Sequence, residues 1–158
     1  RLLLAGMLSS ATLISRFFPP GQVYKEFYES SENLFDLLQF PDIWMLGYFK
    51  WELEFLETLG FGLDLEKCTV TGSREDLKFI SPKSGCAVSQ AAAGDWSSKL
   101  LLYPVAASGQ VNSLEDILDG LKVSQFFLER KVLTAFGMEQ LPNARSRFIY
   151  LLEKKIRN

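Results

Sequence analysis

The sequence predicts a mainly α protein, a helical bundle with one small β-excursion at about residues 63–90, in a single domain spanning 1–158. Three observations lead there. Apolar residues recur at three- and four-residue spacing through long stretches at both ends of the chain, the pattern of amphipathic helices. Between those stretches, from Leu63 to Val88, the period shortens and turn residues crowd together. With 158 residues, 47% of them hydrophobic, the chain can bury one substantial core and is too short for two ordinary domains.

The first helix is expected over Leu2–Phe18, with Leu4, Leu8, Ala11 and Ser15 along one side, and Pro19-Pro20-Gly21 stops it. A second runs from about Tyr24 to Gln39, with Phe27, Leu34, Leu37 and Leu38 inward. The third, Ile43–Leu59, organises the rest. Leu46, Phe49, Leu53 and Leu56 form one stripe and Tyr48, Trp51, Phe55 and Leu59 another beside it. An apolar arc wider than half the circumference must be covered on at least two sides, so this is the central helix of the core. Asp42 is its expected N-cap, Gly60 its left-handed C-cap, and Gly62 bends the exit.

In the β-excursion, Leu77–Ile80 and Cys86–Val88 read as strands around the turn Pro82-Lys83-Ser84-Gly85. Cys68-Thr69-Val70-Thr71-Gly72 has the shape of a zinc knuckle whose second cysteine is threonine. Ala87–Ala92 stands where a second pair of thiolates belongs. A tetrahedral zinc site needs four sulfur or nitrogen donors, so the excursion is read as zinc-ribbon-like but lacking its metal ligands, with no cofactor. Helix returns from Ser113, with Asp116 as a capping-box variant, to about Phe136, where Gly137 ends it. The last helix, about Asn143–Ile156, turns Phe148, Leu151 and Leu152 inward. It also holds the densest basic cluster: Arg145, Arg147, Lys154, Lys155 and, just beyond its end, Arg157.

Several function classes are excluded at this level. There is no histidine, so neither a Ser-His-Asp nor a Cys-His pair can be built. No Walker A or GxGxxG loop occurs. A formal net charge of −2 argues against a basic surface over the whole chain, leaving only local patches for DNA. Two cysteines suit a reducing compartment, hence an expected cytoplasmic location. Leu2–Phe18 is too interrupted for a membrane span, and a start at arginine is what a piece of a longer protein shows. Glu52 does not fit the apolar arc it lies in. A carboxylate there is either one half of a buried salt bridge or a catalytic group without a histidine to work with.

The run Lys50-Trp51-Glu52-Leu53-x-x-Leu56-x-x-Leu59-Gly60-Phe61-Gly62-Leu63-Asp64-Leu65-x-x-Cys68 resembles the hallmark of the bacterial DNA repair and recombination mediator family RecO. So does Phe79-Ile80-Ser81-Pro82-Lys83-Ser84-Gly85-x-Ala87-Val88. Phe127-Leu128-Glu129-Arg130 and Leu141-Pro142-x-Ala144-Arg145 follow in the family's order. The resemblance covers the helical C-terminal region of RecO; the family's N-terminal OB-fold lies outside this sequence. It implies a binding module of the RecFOR pathway rather than an enzyme. Such proteins bind single- and double-stranded DNA, anneal strands coated with single-stranded-DNA-binding protein (SSB), and help load RecA with RecR at DNA damage. Many carry a four-cysteine zinc ribbon, from which this sequence departs. A purely structural domain that positions the OB-fold is the alternative, and a carboxylate enzyme built on Glu52 a more distant one.

Specific residues follow from these readings. Glu52 is expected to pair with Arg145 first and Arg130 second, since both arginines match the family pattern. Arg145, Arg147, Lys154, Lys155 and Arg157 are the candidate DNA contacts. The resemblance puts Lys50 in the basic position of a site for the acidic SSB tail, with Leu46, Phe49 and Leu53 as its apolar floor.

Overall fold

A computed structural model describes all 158 residues, and its architecture follows from where each helix can start and stop. The elements are α1 (Leu2–Phe17), α2 (Lys25–Asp36), α3 (Pro41–Thr58), β1 (Leu77–Ile80), β2 (Ala87–Ser89), α4 (Gln90–Ala93), β3 (Leu101–Leu102), α5 (Leu114–Phe127), α6 (Leu133–Phe136) and α7 (Asn143–Arg157). The protein is mainly α, as the periodicity predicts.

α3 begins at Pro41, which at the first helical position gives up no needed hydrogen bond. Asp42 therefore sits inside the first turn, where its charge suits the macrodipole, and caps nothing with its side chain. Its far end is a Schellman motif: Gly60, at φ 90°, donates to the Glu57 carbonyl, and Phe61 donates to that of Leu56. The same motif recurs after α6, where Gly137 (φ 63°) donates to Thr134 and Met138 to Leu133. The second helix is shorter than its apolar pattern, since α2 stops at Asp36 and Leu37–Gln39 continue as a 3-10 turn. Ser113 and Asp116 close a full capping box at the start of α5. The helix runs through to Phe136 as expected, with a π-helical turn, Leu128–Val132, between α5 and α6.

α3 lies at the centre. α1 and α7 pack side by side against one flank, α5 covers another, and α2 a third. Trp44, Tyr48, Phe49, Trp51, Phe55 and Leu56 are all sealed from water along α3. Their rings meet Phe17 edge-on (5.7 Å between the Phe17 and Phe55 centroids), Phe27, and Phe148 of α7 (4.6 Å from Tyr48). On α1 the buried side is Ala5, Gly6, Ser9, Ser10, Leu13 and Phe17. The Leu4, Leu8, Ala11 and Ser15 stripe faces solvent, with Leu4 and Leu8 59% and 55% exposed.

The β-excursion is a three-stranded antiparallel sheet in the order β2-β1-β3. β1 and β2 form the expected hairpin, with Phe79 opposite Val88 and Ile80 opposite Ala87. The third strand, Leu101–Leu102, pairs with Ile80 and Phe79 and was not legible in the irregular run around it. Ile80 reaches the main core while Cys68, Val88 and Ala93 form a separate small cluster, so the ribbon is docked at one end and self-packed at the other.

Candidate functional site

The polar centre of the molecule is Glu52, fully buried on α3 and met by Arg145 from α7. Arg145 Nε donates to Oε2 at 2.9 Å and a terminal nitrogen to Oε1 at 2.6 Å, the bidentate fork that suits a carboxylate. Ser124 of α5 donates to Oε1 at 2.5 Å, and Tyr48 donates to Oε2 at 3.2 Å while its hydroxyl also meets Ser9 of α1 at 2.7 Å. The remaining guanidinium donors reach the Gln125 side chain (2.9 Å) and the Leu121 carbonyl (3.0 Å). No buried side-chain polar atom is left without a partner. Burial by itself lowers the Arg145 pKa, and the adjoining Glu52 carboxylate more than reverses this, holding it above its ordinary value. Burial, then the Glu52 charge, pushes the Tyr48 phenol well up, so it stays a donor. Four helices thus converge on one ion pair.

This arrangement joins α1, α3, α5 and α7 at one buried point. Glu52 is enclosed by an arginine rather than set in an open pocket beside a second carboxylate. Arg130, the second expected partner, stands on the π-helical turn with its guanidinium 5.9 Å from the Phe126 ring centroid and takes no part. By spacing Tyr48 reads only as part of the apolar arc, and Ser9, Ser124 and Gln125 carry no motif. The available signal was serine on otherwise apolar helix faces, at Ser9 and Ser124.

The candidate DNA contacts separate in two. Arg145 is 1% exposed and committed to Glu52, so it cannot touch a phosphate. Arg147, Lys154, Lys155 and Arg157 all point outward from α7, Arg157 within 3.4 Å of Glu153. Beside them α1 and α7 enclose two adjoining surface clefts, one floored by Leu4, Leu8 and Leu151 and edged by Arg147, the other including Tyr150, Lys154 and Lys155. No acidic residue lines either cleft.

The candidate partner site is also revised. Lys50 is exposed, and Leu46 and Leu53 are half-buried on its side of α3. Phe49 cannot be a slot floor, because its ring is wholly buried against the backbone of α5 at Gly120, where an added Cβ would come within 2.8 Å of it. The large apolar side chain that α3 leaves exposed is instead Ile43, seven residues before Lys50.

Zinc chemistry is not supported by the donors in the ribbon. Cys68 is buried, and its sulfur accepts the Ser89 amide at 3.3 Å, while Ser89 Oγ caps α4 by accepting from Ala92 N. Burial pushes the Cys68 thiol up, and hydrogen bonds from Thr71 and Ser89 outweigh it, bringing the group to about 6. Cys86 lies elsewhere, on the hairpin, its thiol directed at the Ser84 carbonyl. The positions that complete a knuckle with Cys68 hold two hydroxyls and a methyl, and no three His, Cys, Asp or Glu side chains gather at a metal-binding spacing. Elemental analysis after dialysis is expected to find no stoichiometric zinc, and EDTA to leave the melting temperature unchanged. One zinc retained per chain would contradict this.

Comparison with known proteins agrees with the motifs. Residues 1–137 match the family described as "Recombination protein O C terminal". The chain belongs to the RecO family. A protein of Ruegeria sp. (strain TM1040) named DNA repair protein RecO is 43% identical over 158 residues, covering 99% of this chain and 65% of that protein. The RecO proteins of Cereibacter sphaeroides (strain ATCC 17029 / ATH 2.4.9) and Jannaschia sp. (strain CCS1) are 41% and 40% identical, covering 98% and 99% of this chain and 64% of each relative. The chain thus spans just under two thirds of the length of these RecO relatives. No solved structure matches it significantly. No helix is long and apolar enough to cross a membrane.

Proposed function

We propose that this RecO-family chain is a DNA repair and recombination module that works by binding, without a catalytic centre. Its outer α7 face holds single- or double-stranded DNA by the phosphates, and a surface beside Lys50 receives the acidic tail of SSB. In the whole protein these would support annealing and RecA loading together with RecR. The observation that carries the reading is the division of labour on α7. The one arginine facing inward locks the bundle, while Arg147, Lys154 and Lys155 are left outward beside clefts without acids. Phosphate contacts of this kind set affinity without reading sequence. The relatives' shared name, DNA repair protein RecO, supports the same assignment.

A labelled single-stranded oligonucleotide titrated against the chain at several salt concentrations tests it. Affinity should fall steeply with salt, by a log–log slope of about −0.7 for each phosphate neutralised. Lys154→Glu with Lys155→Glu should flatten that slope. Binding that ignores salt, or none at low salt, removes the DNA reading and favours a structural role that positions the OB-fold. In a separate titration, an SSB-tail peptide lacking its terminal phenylalanine should not bind, because the aromatic anchor dominates such contacts. Lys50→Glu should weaken the intact peptide with the fold unchanged; an unaltered isotherm places the peptide elsewhere.

A further inference from the structure

The chain has five tyrosines, and four of them are tied down by their hydroxyls. Tyr24 donates to Gln22, Tyr28 to Glu32, Tyr48 to Glu52 and Tyr103 to the Leu65 carbonyl. Tyr150 is the exception. It is 60% exposed, its hydroxyl has no partner in the protein, and its ring meets no other ring and no cation. The other exposed aromatics are less free or less well placed: Phe40 is as open, but its nearest charged neighbours in the chain are Asp36 and Asp42 rather than cations. Lys99 already lies over the Trp96 ring at 4.7 Å, Phe136 packs edge-on against Phe17, and Tyr28 is held beside a carboxylate.

Its place on α7 matters as much as its freedom. Arg147, Tyr150, Lys154 and Arg157 are spaced three, four and three residues apart, which puts them on one stripe of the helix. From Arg147 to Lys154 the helix rises about 10 Å, with the phenol between the two cations. Leu2, Leu151, Lys154 and Lys155 line the cleft beside the ring, and no acidic side chain does. Glu153 lies at the edge of the stripe and is engaged by Arg157. A flat, unengaged ring between cations matches a polyanion that also presents flat apolar faces.

We propose that Tyr150 stacks on an unpaired base between phosphates held by Arg147 and Lys154, and so gives the α7 face a preference for single-stranded over double-stranded DNA. This rests on the DNA-binding reading above and deepens it. In a duplex the bases are already stacked on each other and offer no face to the ring, whereas the phosphates are available in both forms. Base–aromatic stacking tolerates any sequence, since every base has a π-face.

The test measures the affinity of the chain for three probes at one salt concentration: an oligo-dT, an abasic strand of equal length, and a duplex. Tyr150→Ala should lose about tenfold or more for oligo-dT, following the worth of one stacked base, and should leave the abasic strand and the duplex unchanged. Tyr150→Phe should restore oligo-dT binding, because the ring and not the hydroxyl makes the contact. Unchanged oligo-dT binding by Tyr150→Ala, alongside loss by Arg147→Glu, overturns the stacking role alone. Equal loss for all three probes overturns it as well, since the ring would then be supporting the surface. No binding of any probe by the unaltered chain overturns the DNA reading and this inference together.

Discussion

Glu52→Ala should destabilise the fold by about 3–5 kcal/mol, the usual cost of stranding one partner of a buried ion pair. In a chain of this size that lowers the melting temperature by about 6–20 °C. The partner left behind is the worse problem. Arg145 would keep its charge inside the bundle with only Gln125 and the Leu121 carbonyl to receive its donors. Removing both charges should be milder than the two single losses added together. In Glu52→Gln with Arg145→Met, Tyr48 keeps Ser9 and Ser124 keeps the Leu121 carbonyl, so few buried groups are orphaned. A double-mutant cycle measured by urea denaturation checks this. Strict additivity would show that the pair contributes no coupling, and that the four helices are held by packing alone.

Gly6→Val is expected to be the other severe change, for a steric reason. A Cβ at Gly6 would lie 2.3 Å from the ring of Trp44 and 3.1 Å from that of Phe148. The indole cannot simply swing away, because its N–H donates to the Leu34 carbonyl at 2.9 Å and the residue is fully buried. Either that bond is lost inside the core, or α1 moves off both α3 and α7. Overpacking of this kind costs about 1–3 kcal/mol, and an unsatisfied buried donor adds about 1–3 more. Leu8→Ala, two residues beyond on the exposed face, should change stability by no more than about 0.5 kcal/mol. Thermal melts of the two variants separate these cases. A Gly6→Val protein that melts with the wild type would mean that α1 is not seated as described.

The helices of the bundle were legible because each carries its own punctuation and its own periodicity. Gly60, Ser113 with Asp116, and Gly137 act on the backbone within a few residues, so local sequence is enough to place those ends, whereas α3 starts at Pro41, ahead of the expected cap at Asp42. Glu52 was legible too, as a charge on an apolar arc, and the need to neutralise it pointed to an arginine. The sequence by itself therefore determined the helical bundle, the hairpin, the lack of a zinc donor set and the family motifs.

Tertiary structure decided which face of each helix is used. Leu4 and Leu8 keep helical spacing yet face water, because the side of α1 that turns inward is that of Ala5, Gly6 and Ser9, where Gly6 admits the rings of Trp44 from α3 and Phe148 from α7 and Ser9 meets the Tyr48 hydroxyl. Phe49 shares a stripe with Leu46 and Leu53 by spacing, yet Gly120 admits its ring against α5. Arg145 left the basic cluster for the same kind of reason: only the packing of α7 on α3 shows that it turns inward while Arg147, two residues on, turns out. Periodicity states which residues share a face. Which face meets which neighbour depends on contacts between residues as far apart as Glu52 and Arg145, and those are set by shape and charge across the whole core.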